Sequence, residues 1–234
     1  MDKDRLKMID LFTGIGGFTK AFESVFDTIG YCDTSEYCRS IIISNIQSGL
    51  LRAAPVCDDV RTIHRQSFHG EIPCVITGGF PCQDISSTNV KGPGLKGARS
   101  GLFHEIIRIV HVFPEVKHVI LENVPRLLIK GFDVVQSELE GTGFEIKHTV
   151  VSARQLGAHH NRKRLFIVAS RDFMHLRENS MDLSHEFSWG GSSPERIIRS
   201  TDNQERRMIR DRCGACGNAI VPYCAVKAFK YMGI

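Results

Sequence analysis

Apolar residues in this chain come in short runs closed by glycine, proline or asparagine, and between the runs they recur at helical spacing. Lys7–Thr13 is one such run, and it stops at a glycine turn. Gly17–Phe26 follows with Phe18, Ala21, Phe22 and Val25 three or four apart, which predicts a helix. Thr28–Asp33 then reads as a strand and Tyr37–Gly49 as a helix. Val75–Gly78, Val119–Glu122 and Leu165–Ala169 have the continuous apolar character of buried strands, and Glu145–Val151 is a further strand. Gly101–Val112, with Leu102, Ile106, Ile109 and Val110 on one face, predicts a helix, as do Val134–Thr142 and Pro222–Met232. Strands that alternate with helices predict an α/β fold, a mostly parallel doubly wound sheet with helices on both faces.

Two stretches break the alternation. Ser86–Gly101 is rich in glycine, serine and lysine, and a long structureless loop inside a compact domain is usually functional. Its place directly after Cys82 suits a lid. Arg171–Arg212 has few apolar runs, a single tryptophan at Trp189, and a back half rich in arginine. At 234 residues the chain is long enough for one α/β domain with a small appendage. A net charge of +4 permits a nucleic-acid partner without requiring one. No apolar stretch approaches 18 residues, so no membrane span is expected. The charged start, Met1-Asp-Lys-Asp-Arg5, lacks the apolar core of a signal peptide, and a cytoplasmic location is expected. Eight irregularly spaced cysteines fit reduced thiols better than a disulfide framework. Cys213-x-x-Cys216 lacks a second ligand pair of the usual spacing, so no metal is expected.

Two segments suggest chemistry. Phe12-Thr-Gly-Ile-Gly-Gly17 follows a strand and opens a helix, where glycines let the backbone approach a nucleotide-like ligand. The spacing is G-x-G-G, so a dinucleotide fingerprint is not satisfied. Glu36 lies about 20 residues on, where an acid commonly holds ribose hydroxyls, and Asp58-Asp59-Val60 is a plausible adenine contact. Gly79-Phe-Pro-Cys-Gln83 sets Cys82 on a proline turn leaving an apolar run, a setting suited to a nucleophile.

Taken together, Asp10–Phe18, Gly79–Gln83, Glu122-Asn-Val124, Arg162-x-Arg164 and Gly217-Asn-Ala219 resemble, in order and spacing, the motifs of the DNA cytosine-5 methyltransferases. The resemblance implies a Rossmann-like methyltransferase fold over residues 1–170 and 213–234, with 171–212 as a reduced target-recognition segment. It implies S-adenosylmethionine as cofactor, bordered by Phe12, Gly14 and Gly16. Glu36 is then expected at the ribose, Asp59 and Val60 at the adenine, and Leu102, Asn218 and Ala219 closing the pocket. It implies that Cys82 attacks C6 of a cytosine so that C5 can accept a methyl group, the cytosine being extruded from duplex DNA. Glu122 is expected to hydrogen-bond N3 and the exocyclic amine, which needs a carboxyl raised by burial. Arg164 is expected to fix O2 and orient that carboxylate, with Arg162 beside it. Ser86, Lys91, Lys96 and Arg99 on the lid, and Arg196, Arg199 and Arg206 in the recognition segment, are expected at the DNA.

The chain departs from the pattern in two places. His159-His160 stands where the family has Pro-Gln ahead of the arginines, so His160 is expected either at the DNA or in a local hydrogen bond. The recognition segment is short, which predicts a short target sequence; a monomer is expected. Two other readings remain: a tRNA cytosine-5 methyltransferase of the same fold, and a catalytically inactive DNA-binding subunit that needs a partner.

Overall fold

A computed structural model of the chain describes residues 5–81, 101–183 and 219–234. Its centre is β1 (Leu6–Leu11), where the side chains alternate across the sheet. Ile9 and Leu11 enter one apolar cluster, Met8 enters a second, and Asp10 takes the next position on the Met8 face. After α1 (Gly17–Phe22) the chain returns as β2 (Phe26–Cys32), then forms α2 (Glu36–Gln47), the two-residue β3 (Val56–Cys57) and β4 (Val75–Gly78). The remaining elements are α3 (Leu102–Val112), β5 (His118–Asn123), α4 (Phe132–Gly141), β6 (Glu145–Ser152), β7 (Lys163–Ser170), α5 (Phe173–Ser180) and α6 (Pro222–Tyr231).

The seven strands form one sheet in the order β3-β2-β1-β4-β5-β7-β6. All neighbours from β3 to β5 are parallel, whereas β7 is antiparallel to both β5 and β6. The order reverses between β1 and β4, and ligands of doubly wound sheets bind at the carboxyl ends of the strands at such a reversal. Because β7 is antiparallel, its first residues lie at that same edge, beside the last residues of β5. One apolar layer packs α3 and α4 against the sheet, through residues such as Ile106, Val110, Val135 and Leu139. The other packs α1, α5 and α6, where Phe22 lies 4.9 Å from Phe229 and Phe18 meets Phe166 edge-on at 6.5 Å.

Most predicted elements stand within one or two residues of their expected ends. The helix expected over Gly17–Phe26 is a correction: it stops at Phe22, and Phe26 already pairs with Leu6. Ladder pairing with β1 outweighs the continued helical spacing. β3 and α5 were not foreseen. β3 is too short to show a period, and α5 (Phe-Met-His-Leu-Arg-Glu-Asn-Ser) is largely polar, although Leu176 is fully buried. Leu176 and Leu183 join the second apolar layer, so residues 171–183 pack on the α/β domain.

Candidate active site

The turn after β1 is built by hydrogen bonds that need its glycines. Phe12, Gly14 and Gly16 all have positive φ, of 53°, 58° and 89°. Thr13 donates its hydroxyl to the Asp10 carbonyl at 2.5 Å, and its amide donates to the Cys32 carbonyl at 3.0 Å. The Gly14 amide donates to Asp33 Oδ2 at 2.7 Å, and Asp33 Oδ1 accepts the Ser35 amide at 2.8 Å. Asp33 thus joins the turn to the start of α2. Sequence reasoning missed this role, although an acid at a strand exit next to a glycine turn was its signal. Gly17 is required for a different reason. A Cβ there would lie 2.5 Å from the Ile220 carbonyl oxygen, so only glycine lets the segment leading into α6 lie on α1.

Around this turn the expected cofactor residues are spread over three elements. Glu36 is exposed as the first residue of α2 and, among the described residues, its side chain makes no hydrogen bond or ion pair. Asp59 caps a short 3-10 turn over Val60–Thr62, its Oδ1 accepting the Arg61 amide at 2.9 Å. Val60 faces the core, and its carbonyl accepts Arg108 at 2.8 Å. Leu102 opens α3 and packs at the edge of the apolar core. The Ala219 carbonyl accepts Nη2 of Arg162 at 2.8 Å. Asn218 lies outside the described residues, as do Cys82, Ser86, Lys91, Lys96, Arg99, Arg196, Arg199 and Arg206.

At the end of β5, Glu122 is 6 % exposed. Glu122 pairs in register with Phe166, and Arg164 lies two residues before Phe166, so the two side chains share a sheet face. The x in Arg-x-Arg keeps Arg162 on that face too. Nε of Arg164 lies 2.5 Å from Glu122 Oε1, so the carboxylate is ion-paired in a place largely withdrawn from solvent. Nη1 of the same guanidinium is turned to the Lys163 carbonyl at 2.8 Å. Burial pushes the Glu122 carboxyl up to about 7, and the charges of Arg164 and Arg162 oppose that rise without cancelling it.

The strand exit leading to Cys82 abuts this pair. A Cβ on Gly79 would lie 3.4 Å from Glu122 Oε2 and 3.4 Å from Ile220 Cδ1. Asn123 donates through Nδ2 to the Phe80 carbonyl at 3.2 Å, and its Oδ1 accepts the Val124 amide at 2.8 Å. Asn123 therefore holds the segment that leaves β4 through Phe80. His160 is exposed beyond the start of β7. The fold thus brings Glu122, Arg164, Arg162, Ala219 and the exit of β4 into one place, beside the glycine turn.

Comparison with known proteins identifies the family. A family model described as C-5 cytosine-specific DNA methylase matches residues 6–211. Among curated relatives, Type II methyltransferase M.NlaX of Neisseria lactamica is 32 % identical over 170 residues, covering 69 % of this chain and 51 % of the relative. Type II methyltransferase M.CviJI of Paramecium bursaria Chlorella virus IL3A is 25 % identical over 218 residues, covering 92 % of this chain and 56 % of the relative. The chain thus spans about half the length of these relatives. Among solved structures, Spodoptera frugiperda DNMT2 matches at a TM-score of 0.58 and 16 % identity, over 86 % of this chain and 61 % of that one.

Proposed function

Since the chain belongs to the C-5 cytosine-specific DNA methylase family, we propose that it transfers a methyl group from S-adenosylmethionine to C5 of cytosine in DNA. The observation that carries this reading is the buried Glu122–Arg164 pair set against the strand exit that leads to Cys82. The names of its relatives, Type II methyltransferases, agree with it.

The glycine turn suits the cofactor. Among the described residues no atom lies within 4 Å of where a Cβ on Gly14 would sit, so the turn presents open backbone. Glu36 stands exposed at the start of α2, just after the neighbouring strand, and among the described residues its carboxylate has no partner, which leaves it available for hydroxyl groups. Phe12, Gly14 and Gly16 would line the methionine part, Glu36 the ribose, Asp59 and Val60 the adenine, with Leu102, Asn218 and Ala219 closing over it. When bound, the cofactor supplies an electrophilic methyl group on sulfonium.

This chain's residues do the rest. Cytosine C5 is a poor nucleophile until a thiolate adds to C6, and Cys82 supplies that thiolate. As the bond forms, negative charge develops on the ring toward N3. Glu122 relieves it by sharing a proton at N3, which a carboxyl held at about 7 can do near neutral pH. Arg164 holds the carboxylate and is placed to take up O2. Arg162 ties the carboxy-terminal segment to β7 through Ala219 and so keeps the two halves of the pocket together. After methyl transfer, loss of the C5 proton expels the Cys82 thiolate and restores the ring. The base reaches this pocket only if it leaves the helix stack, and the cationic loop with Ser86, Lys91, Lys96 and Arg99 would hold the opened duplex. Arg196, Arg199, Arg206 and His160 would contact DNA beyond it.

Duplex DNA carrying 5-fluorocytosine cannot release the C5 position. Incubated with cofactor, the wild-type chain should form a covalent adduct stable to denaturing electrophoresis, and Cys82→Ala should form none. Methyl transfer to transfer RNA with none to duplex DNA would replace the DNA reading by the RNA one. No adduct and no transfer on either would favour an inactive binding subunit.

A further inference from the structure

Asp10 is fully buried near the end of β1, and the proposed chemistry makes no use of it. Among the described residues its carboxylate has no cation beside it. Instead its oxygens divide between two elements. Oδ2 accepts the Thr19 hydroxyl at 2.8 Å and the Thr19 amide at 3.3 Å, both from α1. Oδ1 accepts the Thr77 hydroxyl at 2.8 Å, from β4. Thr77 is paired with Asp10 in register, and the chain runs from Thr77 through Gly78 and Gly79 to the proline turn. Thr19 follows Phe12–Gly17, the turn read above as the cofactor's. One side chain therefore joins the two sides of the reversal point in the sheet.

We propose that Asp10 is a positioning residue that fixes the glycine turn after β1 against the strand exit of β4, so that the methyl donor and the nucleophile are held in mutual register. The inference rests on the proposed function for the meaning of the two segments, but the coupling itself is a property of the fold. A buried carboxylate without a counter-charge is costly, and an apolar residue at this strand position would serve packing equally well. The three donors that converge on it offset that cost. Burial pushes its carboxyl to about 7, so its neutral form is within reach, and asparagine copies that form. In Asp10→Asn, Oδ1 can accept both Thr19 donors while Nδ2 donates to Thr77, whose hydroxyl can turn to the Ile9 carbonyl at 3.4 Å.

The test compares Asp10→Ala, Asp10→Asn, Thr19→Val and Thr77→Val. Three readouts are taken: S-adenosylmethionine affinity by calorimetry, alkylation rate of Cys82 by iodoacetamide mapped by mass spectrometry, and amide exchange over residues 12–20. Thr19→Val should weaken affinity about three- to tenfold, the loss expected for one hydrogen bond, and leave the alkylation rate unchanged. Thr77→Val should change the alkylation rate and leave affinity unchanged. Asp10→Ala should move both, and Asp10→Asn should restore both to within about twofold. If Asp10→Ala fails to fold, the two threonine variants and Asp10→Asn carry the test. Unchanged affinity, alkylation and exchange in both threonine variants would overturn the proposal. A wild-type chain that binds no S-adenosylmethionine would instead defeat the functional reading, and exchange together with alkylation would still report the coupling.

Discussion

Glu122 and Asp10 are both carboxyls pushed to about 7 by burial, yet their surroundings assign them opposite work. Glu122 lies at the pocket edge beside two arginines that oppose its rise without cancelling it, which suits it to share a proton with a base. Asp10 is surrounded by donors and holds structure. Replacing Glu122 by glutamine should lower the rate of methyl transfer by about 10²–10⁴, measured with tritiated cofactor at saturating DNA. A shared proton at Glu122 is present below about 7 and lost above it, so wild-type turnover should fall on the alkaline side, and the fall should be absent from the residual activity of Glu122→Gln. Stability carries the same sign for Asp10. Its native pKa is raised above 3.8, so between that value and about 7 the native state binds more protons than the unfolded state. Stability should therefore decline as pH rises through that window. Urea midpoints at about pH 5 and pH 8 should show a smaller decline for Asp10→Asn than for the wild type.

At the scale of elements, the site depends on how closely α1 approaches the segment leading into α6. Phe22, stacked on Phe18 within α1, meets Phe229 of α6 at a tilt and holds the two helices together, and Gly17 admits the Ile220 carbonyl. Gly17→Ala should therefore cost about 1–3 kcal/mol by overpacking, read from the urea midpoint, and should weaken cofactor binding as well. A loss of stability with affinity untouched would place Ile220 outside the cofactor's reach. The other decisive element is β7. Were it parallel to β5, Arg162 and Arg164 would lie at the far edge of the sheet. Its reversed direction is what brings them to Glu122.

Over the whole molecule, positive charge is modest and the segment after β7 is short, with its first residues already committed to the core. Binding to duplex DNA should then rest on few phosphate contacts. Affinity measured by fluorescence anisotropy should fall by about tenfold or more between 50 and 200 mM salt. DNA methylated by the purified chain and sequenced after bisulfite treatment should reveal a short target, because few side chains remain to reach base edges. A long, stringently read target would require a recognition surface beyond the one inferred for Arg171–Arg212.

Much of this was legible in the sequence because its signals are local. Apolar runs closed by glycine marked the strands, helical spacing marked α2, α3, α4 and α6, and the motifs around Asp10, Cys82, Glu122, Arg164 and Ala219 identified the family. Strand direction was not legible, since a parallel and an antiparallel strand carry the same alternation, and neighbours far along the chain decide it. Nor was the role of Asp33 or Asp10, whose partners lie on other strands and helices. The sequence by itself determined which residue types are available for the chemistry and in what order. The tertiary structure alone decided that Glu122 is buried enough to keep a proton, that Arg164 stands against it, and that one carboxylate ties the glycine turn to the exit of β4. Those properties arise from desolvation and from contacts between distant segments, and neither exists until the sheet is assembled.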